Sequence, residues 1–418
     1  MSHTDTTTIA LSLGKPHCLN LPFKNGETAS IRIPFSVLSP VVFEVTLRVE
    51  ISTAEQGSVV YRSDNTADGE RVRWLPRGEY SADWILPRLS LSAGHYRVRI
   101  IARALGKQQL RKLDEQQLEL EVQGQAESNG IVKAGWHFAS ECEVPLSDLA
   151  WQQGHDSWFF RHFDHASHVV INYMLDNSPL LSGRILDVGC GDGITDLGIC
   201  LRTEPELLVG IDPSRAYERL PEVLKENHLD LELPENLIYT ADDANHIPYP
   251  DDYFDVVISW GSVEHIAGGY LQTLREIKRV LRPDGLLFIH PGLYYGNFGH
   301  HLGEFSSEPF FHLTKSEDEI KQLVFSKDPQ LMDRSGYEAV SREDFWRCYT
   351  ELNPISVAEF ERELKALEFE FYRAALRTEG RIEYTHPNLQ NYPVQDLATL
   401  EFYLSAYNRK KPRPLEQA

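Results

Sequence analysis

Between residues 183 and 291 the chain repeats one pattern, a short apolar run followed by a stretch of helical period. The runs are GRILDVG, LLVGID, LIYTADD, FDVVISW and GLLFIHP, and one intervening stretch is YLQTLREIKRVLR (270–282). Compact apolar strands that alternate with helices imply a mostly parallel sheet covered on both faces. Residues 292–360 interrupt the alternation, and SVAEFERELKALEF (356–369) resumes it as a helix. EFEFYRAALR and LATLEFYLSAYNRK then supply two last strands. The expectation is an α/β Rossmann-like domain with a seven-stranded, mostly parallel sheet over residues 151–418, carrying an insertion at about 292–355.

The first part of the chain reads differently. TASIRIPFSVL, VVFEVTLRVEIS and LDEQQLELEV alternate apolar and polar residues, and WILPRLSLSAGHYRVRIIARAL holds two such strands around Ser92-Ala93-Gly94. Short alternating strands broken by Pro and Gly predict an all-β antiparallel sandwich over residues 1–125. The polar stretch QGQAESNG (123–130) reads as a linker, extended here to 126–150.

A chain of 418 residues is long enough for two domains. Its net charge of −21 repels a phosphate backbone, so no nucleic-acid partner is expected. Cys18, Cys142, Cys190, Cys200 and Cys348 are scattered and form no CxxC pair, which argues against a disulfide framework or a structural zinc site. The polar start MSHTDTTTIA has no signal-peptide character, and no apolar run approaches a bilayer's thickness. No transmembrane segment is therefore expected, and the cytoplasm is the expected location.

The sharpest motif is Leu186-Asp187-Val188-Gly189-Cys190-Gly191-Asp192-Gly193, between a strand and a helix. Glycines at alternate positions let the backbone turn tightly and approach a ligand with no Cβ in the way. Asp212 ends the next strand, where a carboxylate can accept two ribose hydroxyls; Pro213 follows it. The spacing is GxGxG, not the GxGxxG of dinucleotide folds. Asp187 would repel a pyrophosphate but attract a cationic ligand. After the third strand, Asp243 can accept from an adenine amino group and Ala244 can offer its N–H, with Asp242 as the alternative acceptor. Asp255 reads as a ligand contact or a strand-start cap. Ser259 and Trp260 end the fourth strand, at the edge where open α/β sheets bind ligands.

With LDVGCGDG, the acidic end of the second strand, DDANHIPYP, FDVVIS and RVLRPDGLLFI, residues 183–290 resemble a class I methyltransferase. The resemblance implies S-adenosyl-L-methionine as cofactor, with Asp187, Gly189, Gly191, Asp212 and Asp243 as contacts. Cys190, Pro213, Ala244, Ser259 and Trp260 are counted with them. A hydroxyl acceptor needs a base or a metal. His265, in SVEHI, and His300 and His301, in NFGHHLGE, follow the fourth and fifth strands and are the catalytic candidates. Three readings stay open for these histidines. One of His300 or His301 is a general base; Glu264, His265 and a later His bind a metal; or the residues only order the loop. The metal reading resembles a Glu-x-x-Glu-His motif, but Gly261 stands at its first position, so no metal is expected.

YYGNFGHHL with PFFHL resembles an insertion in methyltransferases of bacterial surface-polysaccharide clusters, and residues 20–125 resemble the glycan-binding domain of O-antigen ABC exporters. These resemblances imply O-methylation of a sugar hydroxyl in a surface polysaccharide or its lipid-linked precursor, with capping of the chain end as one role open to it. Trp74, Tyr80, Trp84 and Tyr96 are the candidates for a sugar-binding surface. The implied partners are a lipid-linked or polymeric glycan acceptor and the polysaccharide assembly machinery; a homo-oligomer stays open. Two alternatives remain: a small-molecule methyltransferase acting on a quinone or secondary metabolite, with the sandwich as an oligomerisation module, and a non-catalytic glycan-binding protein.

Overall fold

The computed structural model describes residues 9–24, 26–88, 90–124, 133–140, 157–330 and 341–409. They divide into two compact units, one within residues 1–156 and 224–234 and the other within 157–223 and 235–418.

The first unit is built on β-strands. These are β1 (Leu11–Leu13), β2 (His17–Cys18), β3 (Phe23–Lys24), β4 (Ala29–Thr53), β5 (Val59–Asp64), β6 (Val72–Leu86), β7 (Gly94–Gly106), β8 (Gln109–Gln123) and β9 (Gly135–Ser140). They form one nine-stranded hydrogen-bonded sheet, mixed because β3 lies parallel to β8. The pairing therefore does not describe the purely antiparallel, two-sheet sandwich expected from the sequence. The reason lies in β4. Its first half, to Val45, pairs with β6 across an irregularity between Val37 and Val41, and from Thr46 onward it pairs with β7, so one strand joins the two ladders. Glu44, with φ of 50°, sits at the changeover. The alternation Ile31, Ile33, Phe35, Val37 and then Leu47, Val49, Ile51 runs through both halves and is buried throughout.

The expected linker needs a correction. Residues 126–132 and 141–150 lie outside the described residues, but β9 lies inside the span and pairs antiparallel with β6, Trp136 opposite Trp84 and Phe138 opposite Ala82. The sugar-surface candidates are corrected as well. Trp74 and Trp84 are each 1% exposed, and Tyr80 and Tyr96 are each 7% exposed. Trp84 donates to Ser63 Oγ at 3.2 Å, and the Tyr80 and Tyr96 hydroxyls donate to the carbonyls of Pro76 and Ser92. Tyr80 and Trp84 share the β6 face of Ala82 and Leu86, so sheet periodicity puts them in the core.

The second unit carries the seven-stranded sheet that the sequence predicts. Its strands are β10 (Arg184–Val188), β11 (Leu207–Ile211), β12 (Leu237–Thr240), β13 (Phe254–Trp260), β14 (Leu281–His290), β15 (Phe369–Thr378) and β16 (Thr399–Asn408). Their order is β12-β11-β10-β13-β14-β16-β15. β10 to β14 pair in parallel, and β16 inserts antiparallel between β14 and β15. Leu186, Val188, Val209, Ile211, Val257, Leu287 and Ile289 are buried on one face of it, and Ile185, Leu208, Val256, Ile258 and Phe288 on the other. Each such burial stabilises by about 1.5–3 kcal/mol. Asp255 proves to be a strand clamp. Its carboxylate accepts from the Arg184 N–H at 2.7 Å and pairs with Arg282 at 2.7 Å, at the amino ends of the strands.

Helix α1 (Ile194–Thr203) follows the glycine turn. Arg202 on it is buried, pairs with Asp164 at 2.7 Å and donates to the carbonyls of Phe163 and Gly198. Helix α2 (Leu271–Val280) buries Leu274, Ile277 and Val280 against the sheet. The insertion holds α3 (Glu317–Ser326) and α4 (Arg342–Thr350). Each starts at a serine whose side chain accepts from the third helical N–H, which satisfies an otherwise unpaired donor. Leu302, Phe305, Phe311, Ile320, Val324 and Phe345 form a small core of its own. Helix α5 (Val357–Ala366) then leads to β15.

Candidate functional site

The glycine turn is held from three sides. Gly189, Gly191 and Gly193 have φ of 80°, 54° and 73°, a region that side chains with Cβ rarely adopt. At Gly189 a Cβ would also lie 2.2 Å from that of Ser262, whose hydroxyl donates to the Val188 carbonyl at 2.9 Å. Below the turn, the N–H groups of Gly189 and Cys190 donate to the Ile211 carbonyl. Beside it, Tyr239 donates to the Gly193 carbonyl at 2.8 Å and stacks on Tyr217 at 5.0 Å. Trp158 donates to Asp192 at 2.5 Å.

Two carboxylates mark this site. Asp212 accepts from the Gly191 N–H at 2.9 Å and the Ser214 N–H at 2.8 Å, which fixes it against the turn. Asp187 is 4% exposed, and its Oδ1 has no hydrogen-bond partner. Burial pushes its pKa up to about 7, with the Asp212 charge adding to the rise and a hydrogen bond to Asp196 opposing it. Asp196 is raised as well, by its burial and by Asp187. Two buried carboxyls face each other here, and a neighbouring cation would relieve both.

The other expected cofactor residues fall around this turn. Cys190 is buried and Pro213 is exposed. Ser259 donates to the Val188 carbonyl at 2.9 Å, which ties the end of β13 to the turn. Of the adjacent acids, Asp242 accepts from Thr240 Oγ1 at 2.5 Å, whereas Asp243 is exposed and accepts from the Asn245 N–H. Ala244 packs against the sheet core. Trp260 is half-buried, 5.1 Å from the His290 ring and 5.5 Å from Tyr403, and His290 stacks on Tyr403 at 4.3 Å.

The three catalytic candidates separate. His300 is fully buried between Phe311 and His312, and its Nδ1 accepts from the Leu302 N–H at 2.9 Å. Burial pushes its pKa down to about 3, so it holds a core position and is poorly placed to take an acceptor's proton. His301 is half-buried with φ of 53°, and its ring meets that of His265 at 4.7 Å. The structure thus joins His265 to His301 and sets His300 apart. It also shows residues that the sequence reading missed. Ser262, Tyr239 and Tyr217 frame the turn, but nothing in their local sequence signals it. Cys348 lies 3.7 Å from His265 Nδ1, although the two are 83 residues apart in the chain.

Residues 186–289 match the methyltransferase domain family, and the second unit therefore carries a methyltransferase domain. The chain is 34% identical over 111 residues to 27-O-demethylrifamycin SV methyltransferase of Amycolatopsis mediterranei, spanning 26% of this chain and 39% of that protein. It is 33% identical over 157 residues to 2-methyl-6-phytyl-1,4-hydroquinone methyltransferase 2 of Oryza sativa, spanning 34% and 43%. The stretches shared with these curated relatives cover less than half of their length. Among solved structures, the YcgJ protein of Bacillus subtilis matches with a TM-score of 0.34 and 15% identity, over 58% of this chain and 95% of that one.

Such a domain implies S-adenosylmethionine, and the residues present fit it. The ligand offers an amino group and a sulfonium, and the turn offers the unpartnered, buried Asp187 Oδ1. The ligand's ribose offers hydroxyl donors, and Asp212 stands fixed beside the turn as an acceptor.

Proposed function

We propose that this chain is an S-adenosylmethionine-dependent methyltransferase acting on a small, ring-bearing acceptor. The observation that carries the cofactor is Asp187, a buried carboxylate with a bare oxygen at a turn of three left-handed glycines. When bound, the cofactor supplies an electrophilic methyl group. Asp187 balances its positive charge, Asp212 receives the ribose, and the Ser262–Gly189 contact keeps the turn closed against the end of β13. Asp243 and Ala244 flank the adenine side.

The acceptor reading rests on Trp260, His290 and Tyr403, aromatic rings gathered at the carboxyl ends of β13 and β14, where open α/β sheets bind ligands. A rifamycin precursor and a phytyl hydroquinone, named as substrates of the relatives, are ring systems of this kind. The polysaccharide acceptor expected from the sequence loses its sugar-surface candidates in the first unit, because Trp74, Tyr80, Trp84 and Tyr96 are core residues.

The test is incubation of the purified chain with methyl-labelled S-adenosylmethionine and two acceptor pools, small aromatic metabolites and extracted surface glycans. Label in the small-molecule pool is expected. Label in the glycan pool alone would overturn the acceptor reading, and absence of cofactor binding by calorimetry would overturn the whole proposal. Among the described residues, no helix is long and apolar enough to cross a membrane.

A further inference from the structure

His265, His301 and Cys348 come together from three parts of the chain. His265 follows β13, His301 lies in the insertion after β14, and Cys348 sits on α4. One ring nitrogen from each histidine and the Cys348 sulfur all lie within 4.8 Å of one another. We propose that these three side chains bind a zinc ion.

Geometry and chemistry both point there. Zinc–nitrogen and zinc–sulfur bonds of about 2.1 and 2.3 Å at a tetrahedral angle separate the two donors by about 3.6 Å. Cys348 Sγ and His265 Nδ1 are 3.7 Å apart, within hydrogen-bond reach and close to that separation. Two imidazoles and a thiolate suit a borderline-soft divalent ion and not magnesium or calcium, which take oxygen ligands. Cys348 is not in a disulfide.

A second observation supports the site. The other ring nitrogen of His265, Nε2, faces Glu264 Oε1 at 3.8 Å. Glu264 is 3% exposed, and its Oε2 has no hydrogen-bond partner. Metal-bound histidines usually present their second nitrogen to a carboxylate, which fixes the tautomer and strengthens the ligand. Gly292 makes the room, because a Cβ there would lie 2.4 Å from Glu264 Oε1. His301 reaches the cluster from a left-handed backbone, a conformation that persists in non-glycine residues where the surroundings impose it. On binding, the Cys348 thiol gives its proton to solvent, and the sulfur lone pair forms the bond to the metal. Three protein ligands leave a fourth position for water or an acceptor oxygen.

The proposal uses none of the cofactor residues, so it can fail independently of the methyl-transfer reading. The experiment uses tag-free, full-length protein stripped with a chelator, with Co²⁺ as the spectroscopic probe and Zn²⁺ as competitor. One equivalent of Co²⁺ is expected to produce a near-ultraviolet thiolate-to-metal absorption band, and Zn²⁺ is expected to displace it. Cys348→Ser should abolish the band. His265→Ala and His301→Ala should each weaken Zn²⁺ binding at least tenfold, and Glu264→Gln by roughly ten- to a hundredfold. Melting of every variant without metal reports folding, and for any variant that does not fold, Zn²⁺ protection of the wild-type thiol against alkylation replaces it. Sub-stoichiometric binding, a band that survives Cys348→Ser, or a thiol alkylated equally fast with and without Zn²⁺ would overturn the site.

Discussion

The glycine turn and the histidine cluster both follow parallel strands of the same mixed sheet, but the chain builds them differently. The turn is nearly continuous in sequence. Its backbone runs from Asp187 to Gly193, and its main partner, Asp212, lies 21 residues from Gly191. Strand pairing between β10 and β11 sets that partner's position, so the register of two core strands is enough to assemble it. The cluster instead needs a strand end and two distant parts of an insertion with its own apolar core, one of them the helix α4. A site fixed by sheet register should resist local damage, whereas a site that needs a strand end and a separately packed insertion should not.

The largest effect should come from breaking the anchor of the turn's own helix. Arg202→Met leaves Asp164 buried without its cation and is expected to cost about 3–5 kcal/mol in denaturant unfolding. A loss under 1 kcal/mol would mean that the pair does not hold α1. Gly189→Val comes next. It drives a side chain into Ser262 and should weaken S-adenosylmethionine binding by on the order of a hundredfold in calorimetry. Unchanged affinity would refute the turn as the cradle.

His300→Ala sharpens the contrast from the other side. It should lower stability by about 2 kcal/mol through loss of a buried ring while leaving cofactor affinity unchanged. A large fall in turnover with no loss of stability would return His300 to the chemistry. The smallest effect is in pH. The Asp187 pKa is raised to about 7, so the folded chain holds a proton that the unfolded chain has released. That contribution to stability is present at low pH and is lost as pH rises through 7. The unliganded protein should therefore melt lower at pH 8 than at pH 6. The ionised carboxylate is the form that attracts a cation, so cofactor affinity should rise up to about tenfold over the same range. Asp187→Asn should flatten both trends, and a cofactor affinity that falls with pH would contradict the role given to Asp187.

The two regions also differed in how far the sequence disclosed them. LDVGCGDG and the run of apolar strands revealed the mostly parallel sheet and the turn, because strand, bend and helix are encoded locally, whereas the order of the strands came only with the structure. The histidine cluster could not be read that way. His300 and His301 are adjacent, yet one is a core ring and the other reaches a shared site, a difference set by packing against Phe311. Cys348 gave no signal, since only tertiary folding brings it to His265. In the first unit, the identity of Tyr80 and Trp84 suggested a binding surface, whereas their parity with Ala82 and Leu86 placed them inside. The alternation carried the right answer, and residue type misled. The mixed, continuous sheet was illegible because no local pattern shows that one strand changes neighbours halfway.

That strand has a further consequence. β4 is 25 residues long and bonds directly to β1, β2, β5, β6 and β7. No half of the unit can detach without stripping the same backbone of its ladder, so exchange protection along residues 29–53 should collapse in one step and not in stages. Such a module is a single cooperative block, and any cut placed within β4 should dissolve all of it.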